Sequence, residues 1–142
     1  MPSRKEQITT MYTANAIRNI VLLGHSGSGK SALAESQLYM TGAIDRIGKN
    51  ADGNTVCDYD PEEIRRNISI STSLVPLIYH NCKINVLDTP GGFDFSGAVV
   101  EALRAADAAV IVLSAKDGIT VGFVKAWKYC EERNMHRFVY IS

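Results

Sequence analysis

"GHSGSGKS" (residues 24–31) is the stretch on which the reading of this chain turns. It matches, at every required position, the pattern of glycine, four residues, glycine, lysine and then serine or threonine. Before it runs "AIRNIVLLG" (16–24), a short apolar run rich in Ile, Val and Leu that suits a central parallel strand buried on both faces. After it, "KSALAESQLYM" (30–40) is a run of good helix formers that stops near Gly42. A glycine-rich link between strand and helix lets backbone amides curl inward around a phosphate chain, and the helix N-terminus adds partial positive charge. Lys30 is then expected to reach the β- and γ-phosphates, and the Ser31 hydroxyl to ligate Mg2+. The bland alternative is a Gly/Ser-rich turn that holds no ligand.

Downstream, "NVLDTPGG" (85–92) places Asp88 at the end of an apolar strand. An aspartate there, beside a phosphate loop, is expected to anchor Mg2+ through water, and the Gly91 amide to approach a γ-phosphate. Alone, Asp88 would read as a cap on a Thr-Pro-Gly turn. A phosphate-sensing switch also needs a hydroxyl from a mobile loop. "RRNISISTS" (65–73) makes Ser69 the natural candidate, with Ser71 and Thr72 as neighbours able to substitute.

Around these motifs the chain reads as strand, helix, long loop, hairpin, helix, strand, helix, strand. Residues 1–15 are polar and mixed, a loosely held arm, and 16–142 form the domain. Residues 42–67 show no sustained period and are expected to be irregular and mobile without nucleotide. Ile68, Ile70, Thr72 and Leu74 alternate as one face of a strand, and Pro76 puts that strand at a sheet edge. "HN" (80–81) turns the chain into "CKINVLD" (82–88) as a hairpin. A helix after "TPGGFDFSG" sets Val99, Leu103 and Ala106 on one side. "AAVIVLSA" is a buried strand, and a helix over 120–133 carries Phe123, Trp127 and Cys130 as a core stripe. "RFVYIS" opens a last strand. Strands alternating with helices imply an α/β fold with a doubly wound, mostly parallel sheet and one antiparallel edge strand. Ending on an uncovered strand, the domain is expected to lack its C-terminal part.

The 142 residues are long enough for one core, and 46% hydrophobic with 21% charged is the balance of an ordinary globular domain. Fifteen basic and fifteen acidic residues leave no electrostatic footprint for direct DNA binding or for a membrane surface. No apolar stretch reaches the roughly 18 residues that span a bilayer. Cys57, Cys82 and Cys130 lack metal-ligand spacing and read as reduced thiols of a cytoplasmic protein.

Together, "RNIVLLGHSGSGKS", "LYMTGAIDRIGK", "DYDPEEIRRNISISTS", "INVLDTPGGFDF" and "ERNMHRFVYIS" resemble the nucleotide-binding domain of translational GTPases, elongation factor G and its relatives. The resemblance runs from about residue 16 to the end. It implies a P-loop NTPase fold, GTP or GDP with Mg2+ as ligands, GTPase activity, and the ribosome as partner through domains outside this chain. On it, Gly24, His25, Ser26, Gly27, Ser28, Gly29, Lys30, Ser31, Ala32 and Asp88 bind the nucleotide. Ser31, Ser69 and Asp88 hold the metal, and Lys30, Gly91 and Gly92 occupy the catalytic positions.

The departures are specific. Gly27 stands where the family usually has an aspartate, Ser69 replaces the switch threonine, Asn67 replaces the preceding glycine, and Ser142 falls at the first position of the guanine-reading motif. Gly92 replaces the histidine that orients the attacking water. Loss of such a group commonly costs about two to four orders of magnitude in rate, roughly 3–5 kcal/mol of barrier. Two other classes stay open: a nucleotide-dependent regulatory module that barely turns over, and a P-loop ATPase or kinase.

Overall fold

The computed structural model describes residues 11–49, 52–57, 60–66, 68–92 and 96–142. Most of the expected N-terminal arm (1–10), Asn67, and residues 93–95 of the "DTPGGFDF" motif lie outside them. A 3₁₀ turn, Ala14–Ala16, leads into β1, Ile17–Leu23. Then come α1 (Lys30–Met40), α2 (Pro61–Arg66), β2 (Ser73–Tyr79), β3 (Cys82–Asp88), α3 (Ser96–Ala105), β4 (Ala108–Leu113), α4 (Val121–Glu132) and β5 (His136–Ile141).

The five strands form one sheet in the order β2-β3-β1-β4-β5. β1 runs parallel to β3 and to β4, β4 parallel to β5, and only β2–β3 is antiparallel. Central β1 is apolar on both faces because both are covered. Val21 and Leu23 pack with Leu103, Ala126 and Cys130 from α3 and α4. Leu22 points the other way, onto Ala34 and Leu38 of α1 and Val75 of β2. Helices therefore lie on both faces of a doubly wound sheet, as the alternating pattern predicts. Fully burying each such side chain stabilises the fold by about 1.5–3 kcal/mol.

The hairpin is a two-residue turn with His80 and Asn81 at φ 47° and 63°. Positive φ at both positions is the type I′ geometry that matches strand twist. Pro76 sits on edge strand β2, where its missing N–H costs no ladder bond to an outer neighbour.

Three expectations are corrected. The strand begins at Ser73 rather than at Ile68, so Ser73, Val75 and Leu77 face inward while Leu74 is exposed. Thr72 is instead drawn towards α3, its hydroxyl donating to the Ala98 carbonyl at 3.4 Å. Second, the 42–67 segment contains a helix, α2. Asp60 caps it by accepting the Glu62 amide at 2.8 Å, Pro61 opens it, and acidic residues fill the first turn and arginines the last. Third, Trp127 does not belong to the core. It is 37% exposed, stacks on Phe123 and lies under the Arg137 guanidinium at 4.2 Å, while Ala126 and Cys130 carry the buried stripe.

β5 closes the sheet beside the phosphate loop. The Ser142 amide donates to Leu113 at 2.9 Å, and its hydroxyl donates to the Ser28 carbonyl at 3.0 Å.

Candidate functional site

The register brings the C-terminal ends of the parallel strands to one edge: Leu22 pairs with Asp88, and Leu23 with Ile111. α1 leaves β1 for one face of the sheet while α3 and α4 lie on the other. The loop after β1 therefore opens at a topological switch point, where α/β sheets bind ligands.

Within that loop Gly29 precedes α1 in a left-handed conformation, and the helix starts on Lys30. Lys30 is 6% exposed and folds back over the loop, its Nζ donating to the carbonyls of His25 at 2.9 Å and Gly24 at 3.3 Å. Burial holds its pKa below the ordinary lysine value, against the opposing pull of the Asp88 charge. The Ser31 hydroxyl donates to Asp88 Oδ2 at 2.5 Å, with both residues buried. Burial pushes the Asp88 carboxyl above the usual carboxylate range; the Ser31 hydrogen bond, the Lys30 charge and the Cys57 thiol beside it pull the other way. Asp88 Oδ1 and Ser28 Oγ are buried and take no hydrogen bond among the described residues. Orphaned oxygens of this kind are costly unless something else satisfies them. A hydroxyl, a carboxylate and a lysine converging on one glycine-rich loop fit a magnesium-bound polyphosphate.

Ser26 and Gly27 are exposed, and Ala32 lies on the outer side of the first turn of α1. His25 is half-buried and seated against the start of α4: a Cβ on Gly122 would lie 2.8 Å from His25 Cα and 2.9 Å from its Nδ1. Ser69 is half-buried in the segment that enters β2 at Ser73, the residue paired with Asp88.

The loop after β3 is fixed by a residue that sequence reasoning passed over. Thr89 is buried, and its hydroxyl donates to the Leu22 carbonyl at 2.6 Å. That bond ties the end of β3 to the end of β1 and presses Gly91 onto the phosphate loop. Gly91 and Gly92 line a solvent-open cleft with Gly24, Lys125, Ala126 and Tyr129. No imidazole enters that space from position 92.

Two further buried carboxylates were also missed. Glu35, 2% exposed on α1, accepts the amides of Gly48 at 2.8 Å and Val56 at 2.9 Å. Glu63 on α2, equally buried, accepts from residues 70 and 71. A charged residue facing inward on a helix is a sequence signal, but its partners are non-local.

Compared with known proteins, residues 15–142 match the elongation factor Tu GTP binding domain. The chain belongs to that family. Over 133 residues this GTP-binding domain is 40% identical to an elongation factor G-like protein of Mycobacterium tuberculosis, covering 92% of the chain and 19% of the relative. It is 38% identical over 129 residues to the mitochondrial ribosome-releasing factor 2 of Candida dubliniensis, covering 91% of the chain and 16% of that protein. A solved structure from Thermus thermophilus superposes with a TM-score of 0.85 at 40% identity, covering 89% of the chain and 19% of the other. The domain therefore spans about a fifth of the length of such relatives. Guanine-nucleotide binding and the GTPase class follow from the family. Among the described residues no helix is long and apolar enough to cross a membrane.

Proposed function

We propose that this chain is the magnesium-dependent nucleotide switch of an elongation factor G-like translational GTPase that acts on the ribosome in the cytoplasm, with slow GTP hydrolysis unless another group assists. The observation that carries the reading is the buried Ser31–Asp88 contact at 2.5 Å beneath a glycine-rich loop closed by Lys30. The names of the relatives, elongation and ribosome-releasing factors, support the ribosomal setting.

In this reading the amides of residues 24–31 and the Lys30 ammonium hold the phosphates, and the Gly91 amide meets the terminal one. Ser31, Ser69 and Asp88 are the residues that would hold Mg2+, which supplies neutralising charge to the polyphosphate. Gly92 brings no side chain to the attacking water, so water is oriented only by what surrounds the cleft. A regulatory module that reports occupancy and turns over slowly is the second reading, and the same glycine favours it.

The test uses the full-length protein. Fluorescent GDP should bind in preference to fluorescent ADP, and chelation of magnesium should weaken the triphosphate more than the diphosphate. An adenine preference would overturn the reading. Single-turnover hydrolysis should be slow alone and faster with ribosomes. Fast unaided turnover would remove the slow-hydrolysis proposal, and no acceleration by ribosomes would favour the regulatory module.

A further inference from the structure

The segment between α1 and β2 carries the switch hydroxyl, and Glu63 grips it one residue later. From the inner face of α2, Glu63 Oε1 accepts the Ile70 amide at 2.8 Å, the Ser71 amide at 3.0 Å and the Ser71 hydroxyl at 3.3 Å. Among the described residues no cation pairs with it. Arg65 and Arg66 on the same helix bond to the exposed Glu62 instead. Helix capping is normally done by short polar side chains at the surface. A carboxylate buried to 2% exposure and spent on two successive amides is a different arrangement.

Its mechanical effect is local and definite. A peptide unit is planar, so holding the Ile70 nitrogen fixes the orientation of the Ser69 carbonyl carbon and oxygen. Holding the Ser71 nitrogen fixes the next plane as well. The Ser69 Cα lies in the first of these planes, so Ser69 is left with its own ψ and side-chain rotation, and little else, to bring its hydroxyl to a ligand.

We propose that Glu63 is the positioning residue of the switch: by clamping the backbone of residues 70 and 71 it presets the Ser69 hydroxyl, and so discriminates the triphosphate from the diphosphate. This rests on the reading of Ser69 as the hydroxyl that responds to a γ-phosphate. Glu35 holds the same segment farther upstream, at residues 48 and 56, and provides the control.

The experiment measures, in the full-length protein with magnesium, the affinity for a fluorescent non-hydrolysable GTP analogue relative to fluorescent GDP. Glu63→Ala should lower that ratio about tenfold, the scale of losing charge-assisted bonds that order a loop. Glu63→Gln keeps an accepting oxygen and should recover most of the ratio, while Glu35→Gln should leave it within about twofold. An unchanged ratio in Glu63→Ala, or equal losses for both nucleotides, would overturn the proposal. If Glu63→Ala fails to fold, Ser71→Ala removes one of the three bonds. It should then lower the ratio in smaller measure, and no change would overturn the proposal equally. Should the unaltered protein bind neither guanine nucleotide, the functional reading itself falls; binding with an intact ratio in the variants sinks only the role of Glu63.

Discussion

Gly91 is packed onto Ser26 so closely that a Cβ at position 91 would stand 2.5 Å from the Ser26 amide nitrogen, and 2.7 Å from Lys30 Nζ. The first of these neighbours is backbone of the phosphate loop and cannot rotate away. Gly91→Ala should therefore push the two loops apart. We expect a destabilisation of about 1–3 kcal/mol, the cost of overpacking, seen as a lower Tm, together with weaker binding of the GTP analogue. Unchanged Tm and affinity would mean that the two loops separate freely.

Gly92 lines the solvent-open cleft next to Gly91. Gly92→His should place an imidazole in the cleft and accelerate single-turnover GTP hydrolysis by about a hundredfold, the low end of what a positioned catalytic group contributes. Nucleotide affinity should change little. A rate that does not move would show that the attacking water is held in some other way.

Asp88 trades stability for ligand. In the metal-free, nucleotide-free protein its folded-state pKa is raised by burial. A carboxyl of that kind contributes stability below the ordinary carboxylate range, and loses it as pH rises through the raised value. Once ionised, the buried carboxylate is a net cost to folding. Asp88→Asn keeps an acceptor for the Ser31 hydroxyl and removes the charge. Thermal melts with a chelator should show a higher Tm for the variant at pH 7, with the advantage fading in acid. Magnesium-dependent nucleotide affinity should fall at least about a hundredfold, since a charged partner of the metal is lost. A variant less stable than the parent at neutral pH would count against this account of the carboxylate.

The thiols give a simpler check. Cys57 and Cys130 are buried and Cys82, at the start of β3, is half-buried; none forms a disulfide among the described residues. Burial raises the Cys130 thiol pKa, against the weaker pull of Arg137 and Arg133, so little thiolate exists there at neutral pH. Brief alkylation at about pH 7.5, followed by mass spectrometry, should modify Cys82 first and leave Cys130 untouched until the protein unfolds. Early labelling of Cys130 would mean that α4 opens readily.

How far these features were legible in the sequence depended on how local their causes are. The phosphate loop, the I′ turn at His80–Asn81 and the buried strands are each set by residues adjacent in the chain, and could be read directly. α2 carried its own start signal in Asp60, Pro61 and the paired glutamates, obscured by the irregular stretch around it. The first residue of β2 was not readable, because Ile68 and Ile70 alternate as well as Val75 and Leu77 do. What separates them is the pairing of Ser73 with Asp88 and the clamp of Glu63 on residues 70 and 71. Trp127 misled for a similar reason: helical spacing put it on the stripe, while Arg137, from β5, gave it a partner at the surface. At the site, Ser31 and Asp88 were visible from their motifs, whereas Thr89, Glu35 and Glu63 act through bonds to residues seven or more positions away that no local pattern announces.

The Ser142–Ser28 contact joins positions 114 residues apart in the chain. Through it the residue that follows β5 is bonded directly to the glycine-rich loop, so a displacement of that strand's end is felt at the loop. A body seated against that strand could thus tighten or slacken the grip on the nucleotide while standing well away from it.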